Sequence, residues 1–200
     1  MGSFENWFIF VVMASKDLEE QIRRFDVLME YIEKQLPLKA QAIAGMDLVA
    51  MVAHRVVQDG KDSKGQSFSA YSDIQIEASE FIGKSRVASV DAKIKAMAKK
   101  KQRLSYKQFR EMNNLEIAKK NFEFTGEMWR KFGIVNFTIN GQNFKIKIGG
   151  TTEAAQKKID ENSYSENESI IEATEEERQW YEKTLNDWLN AETNRLLNGG

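Results

Sequence analysis

Residues 133–150 read GIVNFTINGQNFKIKIGG, and no other stretch of the chain limits its fold so strongly. Ile134, Asn136 and Thr138 in the first run, and Phe144, Ile146 and Ile148 in the second, alternate with residues of the opposite face, the period of two that a strand requires. Between the runs, Asn140-Gly141 supplies the positive backbone angles of a tight turn. The spacing predicts an antiparallel β-hairpin over 134–149.

The rest of the periodicity is helical. From Asp17 onward, Leu18, Ile22, Phe25, Leu28, Met29, Ile32 and Leu36 recur three or four residues apart. Asp17 and Glu20 have the spacing of a capping box that would start this helix. Pro37, the only proline, lacks an amide donor and crowds the preceding turn, so it kinks or ends the helix. Ile43, Met46, Ala50, Ala53 and Val57 continue the pattern, giving one long kinked helix or a helical hairpin. Thr174 with Glu177 forms a second capping box, and the last helix runs through Tyr181, Leu185, Trp188, Leu189 and Leu196 to an Asn-Gly-Gly end. Residues 59–72, DGKDSKGQSFSAYS, read as an exposed loop whose end Phe68 and Tyr71 pin to the body. Residues 151–172 are polar and read as irregular. In NFEFTGEMW, residues 121–129, Phe122 and Phe124 alternate as in a short strand. The chain then turns at a structural corner of Thr125, Gly126, Met128 and Trp129, where glycine permits the turn and the two large side chains cover apolar surface. The fold class is α+β: a long kinked N-terminal helix or helical hairpin, a small antiparallel sheet and a C-terminal helix.

A chain of 200 residues, 42% hydrophobic, suffices for one domain with a core, here 17–200, preceded by an arm at 1–16. The absence of cysteine excludes disulfides, thiol chemistry and cysteine-built zinc sites, and fits manufacture in a reducing cytoplasm. The apolar run Trp7–Ala14 spans eight residues, well short of the ~20 a membrane span needs. Only Glu5 is charged before it, so it lacks the basic start of a secretory signal. It reads as an apolar strand or arm, carried by Trp7, Phe8 and Phe10, that packs on its own domain or on a neighbouring subunit. No membrane contact is expected.

No nucleotide-binding glycine loop or helical metal motif occurs. His54, the only histidine, has no nucleophile at a telling spacing and reads as a helix-surface or partly buried residue. Glu175, Glu176 and Glu177 fall in a first helical turn, which the helix dipole favours whatever the function; Glu166 and Glu168 read as loop residues. Thr125 has no base beside it in sequence. No catalytic, cofactor-binding or metal-binding residue is expected. The charge distribution carries more information. Residues 84–110 hold ten Lys or Arg against the single acid Asp91, a local excess of nine positive charges in a chain of net charge −1. Residues 150–200 carry twelve acids and five bases. Lys93, Lys95, Lys99, Lys100, Lys101 and Arg103 form the centre of the basic segment. It suits a charge-complementary contact between subunits, with one copy's basic surface on its neighbour's acidic end, or a phosphate backbone. Near-neutral overall charge and few interleaved aromatics, Tyr106 and Phe109, argue against a dedicated nucleic-acid module.

The order of segments SFSAYS, SYKQFREM, FEFTGEMW, VNFTINGQNFKIKIGG, AAQKK and ATEEERQWYEKTL resembles the neck and tail-completion proteins of tailed bacteriophages, the virion morphogenesis proteins of the head-tail connector. Phe68, Tyr71 and Ser72, then Tyr106, Phe109 and Arg110, then Thr125, Gly126 and Met128 carry the likeness, which covers residues 17–195. Ser67 stands where a proline often precedes the first pattern. The resemblance implies a non-enzymatic virion structural protein, a homo-oligomeric ring at the head-tail junction that contacts portal, adaptor or tail proteins. A non-specific contact between the basic segment and genomic DNA is compatible with it.

Overall fold

The computed structural model describes residues 4–122, 126–140, 143–166 and 169–198, with side chains outside 4–17 and 139–144. The architecture is α+β, with helices at both ends and two small antiparallel sheets between them. Two compact units make up the chain, Met1–Ala44 with Glu182–Gly200, and Gly45–Tyr181.

Helix α1 (Phe4–Lys34) and helix α2 (Leu36–His54) form one bent run that a short π-helical turn extends to Asp59. Hydrogen bonding crosses the bend, with Gln35 N–H donating to Tyr31 O at 2.9 Å and Lys39 N–H to Gln35 O at 3.2 Å. Pro37 lies in the first turn of α2, where a missing amide leaves no intrahelical bond unmade. The helix thus bends at the proline without ending. Its start differs from the expected one. Since α1 begins at Phe4, Asp17 lies inside a helix rather than at a cap, and the arm over 1–16 is helical from Phe4 rather than a strand. The strand propensity of Trp, Phe, Ile and Val over 7–12 is a weak preference that a continuing helix overrides. Glu20 instead bonds Arg23 at 3.0 Å and Arg24 at 2.9 Å on the helix surface.

In the first unit Leu36, Ala40 and Ala44 recur at four-residue spacing and are buried, as is Leu185 of helix α7 (Glu175–Leu197). Gln41 is buried on α2, and neither its Nε2 nor its Oε1 meets a hydrogen-bond partner among the described residues.

The second unit holds a buried apolar cluster and a hairpin. Strands β1 (Gln75–Glu77) and β2 (Arg103–Ser105) pair antiparallel and frame helices α3 (Ala88–Lys99) and α4 (Tyr106–Met112). Ala78, Phe81, Val90, Ile94, Leu104 and Phe109 pack as one cluster, with the Phe81 and Phe109 rings stacked at 4.6 Å. The hairpin of β3 (Phe132–Asn140) and β4 (Asn143–Gly150) lies where the alternation predicts it. Its faces are assigned differently, because the register shifts between Ile134 and Asn136. That bulge inserts one residue at Val135, so Phe137 rather than Asn136 joins the face of Ile134. Ile134 then opposes Ile148, and Phe137 opposes Ile146. Helix α2 comes close to this face at Gly45, where a Cβ would lie 2.9 Å from Ile134 Cδ1.

Helix α6 (Glu153–Glu166) occupies most of the stretch expected to be irregular. It carries no broad apolar stripe: only Ala155 and Ile159, one turn apart, are buried, which is why periodicity misses it. Thr152 Oγ1 accepts from Ala155 N–H at 3.3 Å and caps its start. Helix α7 starts as predicted, with Glu177 N–H donating to Thr174 Oγ1 at 3.0 Å and Thr174 N–H to Glu177 Oε2 at 2.7 Å.

One described helical run, Leu18–Asp59, is long and apolar enough to cross a membrane by length and composition alone. The buried stripe of a core helix passes the same test.

Candidate functional site

Three segments that carry the sequence resemblance meet in the second unit. Helix α4 positions the first. Ser105 Oγ accepts from Gln108 N–H at 3.2 Å while Gln108 Oε1 accepts from Ser105 N–H at 2.8 Å, a capping box that sets the helix start. Two turns of helix then place Phe109 in the core and Arg110 beside it, both buried. Arg110 Nε donates to Glu116 O at 3.0 Å and Nη2 to Asn121 Oδ1 at 3.2 Å. Its guanidinium lies 4.0 Å from the centre of the Tyr71 ring, a cation–π contact strengthened by exclusion of water.

Tyr71, at the end of the 59–72 loop, donates its hydroxyl to Asn121 Oδ1 at 3.1 Å and accepts from Asn121 N–H at 3.2 Å. Burial pushes this hydroxyl above its ordinary pKa, against the opposing pull of the Asn121 amide and the Arg110 charge. Asn121 also accepts from Trp129 Nε1 through its carbonyl at 3.3 Å. Asn121 therefore joins all three segments, and no spacing rule points to it. The residue after it, Phe122, has φ 53°, left-handed rather than extended, while Phe124, the other residue of the expected strand, lies outside the described residues. The Phe122 ring stands edge-on to Phe68 at 4.8 Å. Phe68 and Tyr71 thus pin the loop as anticipated.

The Thr-Gly corner is described from Gly126 onward; Thr125 lies outside the described residues. Gly126 has φ 70° and precedes the short helix α5 (Glu127–Arg130), a backbone conformation that glycine adopts without strain. Met128 is buried, and Trp129 meets Phe132 edge-on at 5.4 Å. A cavity of about 470 Å³ borders Tyr71, Arg110, Lys120, Met128, Lys158 and Asn162. Its two lysines are ion-paired within the unit, Lys120 with Glu166 and Lys158 with Glu127 at 3.0 Å. Lys158 holds the Glu127 carboxyl below its ordinary pKa. Glu166, expected in a loop, ends α6 and also accepts from Ser69 Oγ at 3.1 Å.

The basic segment is a separate surface. Lys93, Lys95 and Lys99 lie on α3, Lys100 and Lys101 in the turn after it, and Arg103 opens β2; all six are exposed. Val90 and Ile94 of α3 are buried, so the helix presents charge on one side and core on the other. Lys95 pairs with Asp91 at 2.8 Å, and Arg103 lies 3.9 Å from Glu77. Lys93, Lys99, Lys100 and Lys101 have no carboxylate within ion-pair distance among the described residues. Arg110, counted with this segment in the sequence, leaves it for the interior.

The remaining candidates separate. His54 is exposed, 3.9 Å from Asp59. Glu175 and Glu176 are exposed, whereas Glu177 is buried against Arg55, whose Nε donates to it at 2.9 Å. No group of three or more His, Asp or Glu residues is placed to hold a metal among the described residues. Helix α1 includes Trp7, Phe8 and Phe10, whose side chains are outside the described ones. In comparisons with known families, curated proteins and solved structures, no family model, protein or structure matches this chain.

Proposed function

We propose that this chain is a non-enzymatic structural protein of a phage particle, a component of the head-tail connector that acts through contacts between subunits and with portal, adaptor or tail proteins. The observation that carries the reading is the convergence on Asn121 of SFSAYS, SYKQFREM and the corner at Gly126, the segments on which the resemblance rests. Their polar groups bond to one another in a buried site, the arrangement of a fixed corner. Function then lies in surfaces: the basic face of α3 and β2, and the acidic residues of the C-terminal part.

Antibody labelling of phage particles viewed by electron microscopy tests it. Label at the junction of capsid and tail is expected. Particles without label, with the protein left in the free fraction, overturn it.

One observation favours a second reading, a nucleic-acid contact. Four exposed lysines with no carboxylate within ion-pair distance among the described residues can neutralise phosphates. Replacing Lys99, Lys100, Lys101 and Arg103 together by Glu separates the two. A nucleic-acid contact loses salt-sensitive affinity for DNA with oligomerisation unchanged, whereas a subunit contact loses assembly.

A further inference from the structure

Along α1 and into the first residue of α2, Leu18, Ile22, Phe25, Met29, Ile32 and Leu36 are separated by four, three, four, three and four positions. This is a strict repeat of 3.5 residues per turn, with Leu18, Phe25 and Ile32 at one seam position and Ile22, Met29 and Leu36 at the other. Upstream in the sequence the same spacing falls on Ser15, Val11, Phe8 and Phe4. A straight helix of 3.6 residues per turn drifts by about 20° per seven residues against such a repeat, so only a helix supercoiled around another keeps this stripe facing a partner. Among the described side chains, the chain covers only its lower end. Leu36 is buried, but Leu18, Ile22 and Phe25 are 58%, 53% and 57% exposed.

The face opposite the seam carries ion pairs of its own beside a single exposed valine, Val27. Glu20 bonds Arg23 and Arg24, and Glu30 bonds Lys34 at 2.9 Å; all five residues fall at outward positions of the repeat. The positions flanking the seam are asymmetric. Glu19, Asp26 and Glu33 lie on one side, while Gln21, Leu28 and Gln35 lie on the other. Two antiparallel copies would set the acidic rows against each other. Two parallel copies set each acidic row against the neutral one, and flanking charge of this kind decides orientation. The same carboxylates disfavour lipid, because a helix lying on a membrane carries basic residues beside its apolar face.

We infer that α1 is an interaction surface for a second copy of this chain, paired parallel and in register along Leu18–Ile32 as a coiled coil. The pairing goes beyond the connector reading and does not depend on it: it is a property of the isolated chain, and labelling of particles tests the connector reading separately.

The test uses the full chain with single cysteines, which its cysteine-free sequence allows. Ile22→Cys, on the seam, is expected to form disulfide-linked dimers faster than Val27→Cys on the outer face. The ratio is roughly a hundredfold, that of a millimolar effective concentration within a pair to about 10 μM protein in solution. In sedimentation velocity the wild type is expected as an oligomer and Phe25→Glu as a monomer of unchanged helix content, since Phe25 supports no core of its own chain. Equal cross-linking at the two positions overturns the inference, as does a monomeric wild type. Disulfide formation between Leu18→Cys and Ile32→Cys chains that exceeds like pairing overturns the parallel orientation, and a wild-type monomer that floats with phosphatidylcholine vesicles assigns the stripe to lipid.

Discussion

Removing the carboxylate of Glu177 is expected to destabilise the Gly45–Tyr181 unit more than any surface substitution. Arg55 and Glu177 are joined at 2.9 Å, with side chains 9% and 6% exposed. The guanidinium also donates to Lys61 O at 2.9 Å and to Glu172 O at 2.7 Å, so it ties the end of the long helix to the start of α7. Glu177→Ala leaves a buried cation facing no anion, a change that costs about 3–5 kcal/mol. It also removes the acceptor of the Thr174 amide, half of the capping box. Thr174→Ala removes only the other half, worth about 1 kcal/mol. In a thermal melt followed by circular dichroism, Glu177→Ala should lower Tm by roughly 10 °C, several times the shift for Thr174→Ala. Arg55→Met combined with Glu177→Leu should lose less than the two single substitutions together, because apolar replacements leave no unpaired charge. Equal shifts for Glu177→Ala and Thr174→Ala would refute the argument, reducing the ion pair to its capping role.

Gln41→Met should raise Tm, with a gain of about 1–3 kcal/mol in stability, because it replaces a buried amide that has no hydrogen-bond partner among the described residues with an apolar side chain of similar volume. Gly150→Ala should destabilise by about 1–3 kcal/mol in urea unfolding: its Cβ would lie 2.7 Å from Ala155 C and Gln156 Cα, backbone atoms of α6 that cannot rotate aside. Asp91 is held below its ordinary pKa by the Lys95 ammonium and the Gly83 amide. A carboxyl lowered in the folded state stabilises above the unfolded pKa and loses that contribution as pH falls through the folded one. The Tm of the wild type should therefore drop more steeply below about pH 4 than that of Asp91→Asn, measured across a pH series.

Local signals and tertiary packing divided the work here. The hairpin, the proline bend and the Thr174 capping box, and with them the α+β class, were legible in sequence, because each depends on residues within a few positions of one another; Phe68 and Tyr71 stood out only as large aromatics in a polar stretch, since their partners Phe122 and Asn121 lie about 50 residues further on. A period of two, a missing amide or a hydroxyl three residues before a carboxylate acts through local geometry alone. The sequence could not place Arg110, since ten basic residues in one segment look alike until one is drawn inside by Tyr71 and Asn121, 39 residues before it and 11 after it. Nor could it separate Glu177 from Glu175 and Glu176, because only Arg55, distant in the chain, makes that one carboxylate different. The bulge at Val135 and helix α6 were hidden for a related reason: faces follow from which residue opposes which, and Ala155 and Ile159 become a buried face only when β4 and α5 lie beside them. What the chain determined by itself was its repertoire of elements. Which charges became interior, and which apolar stripe was left bare on α1, was decided by long-range packing, because burial is a property of neighbours that sequence separation does not record.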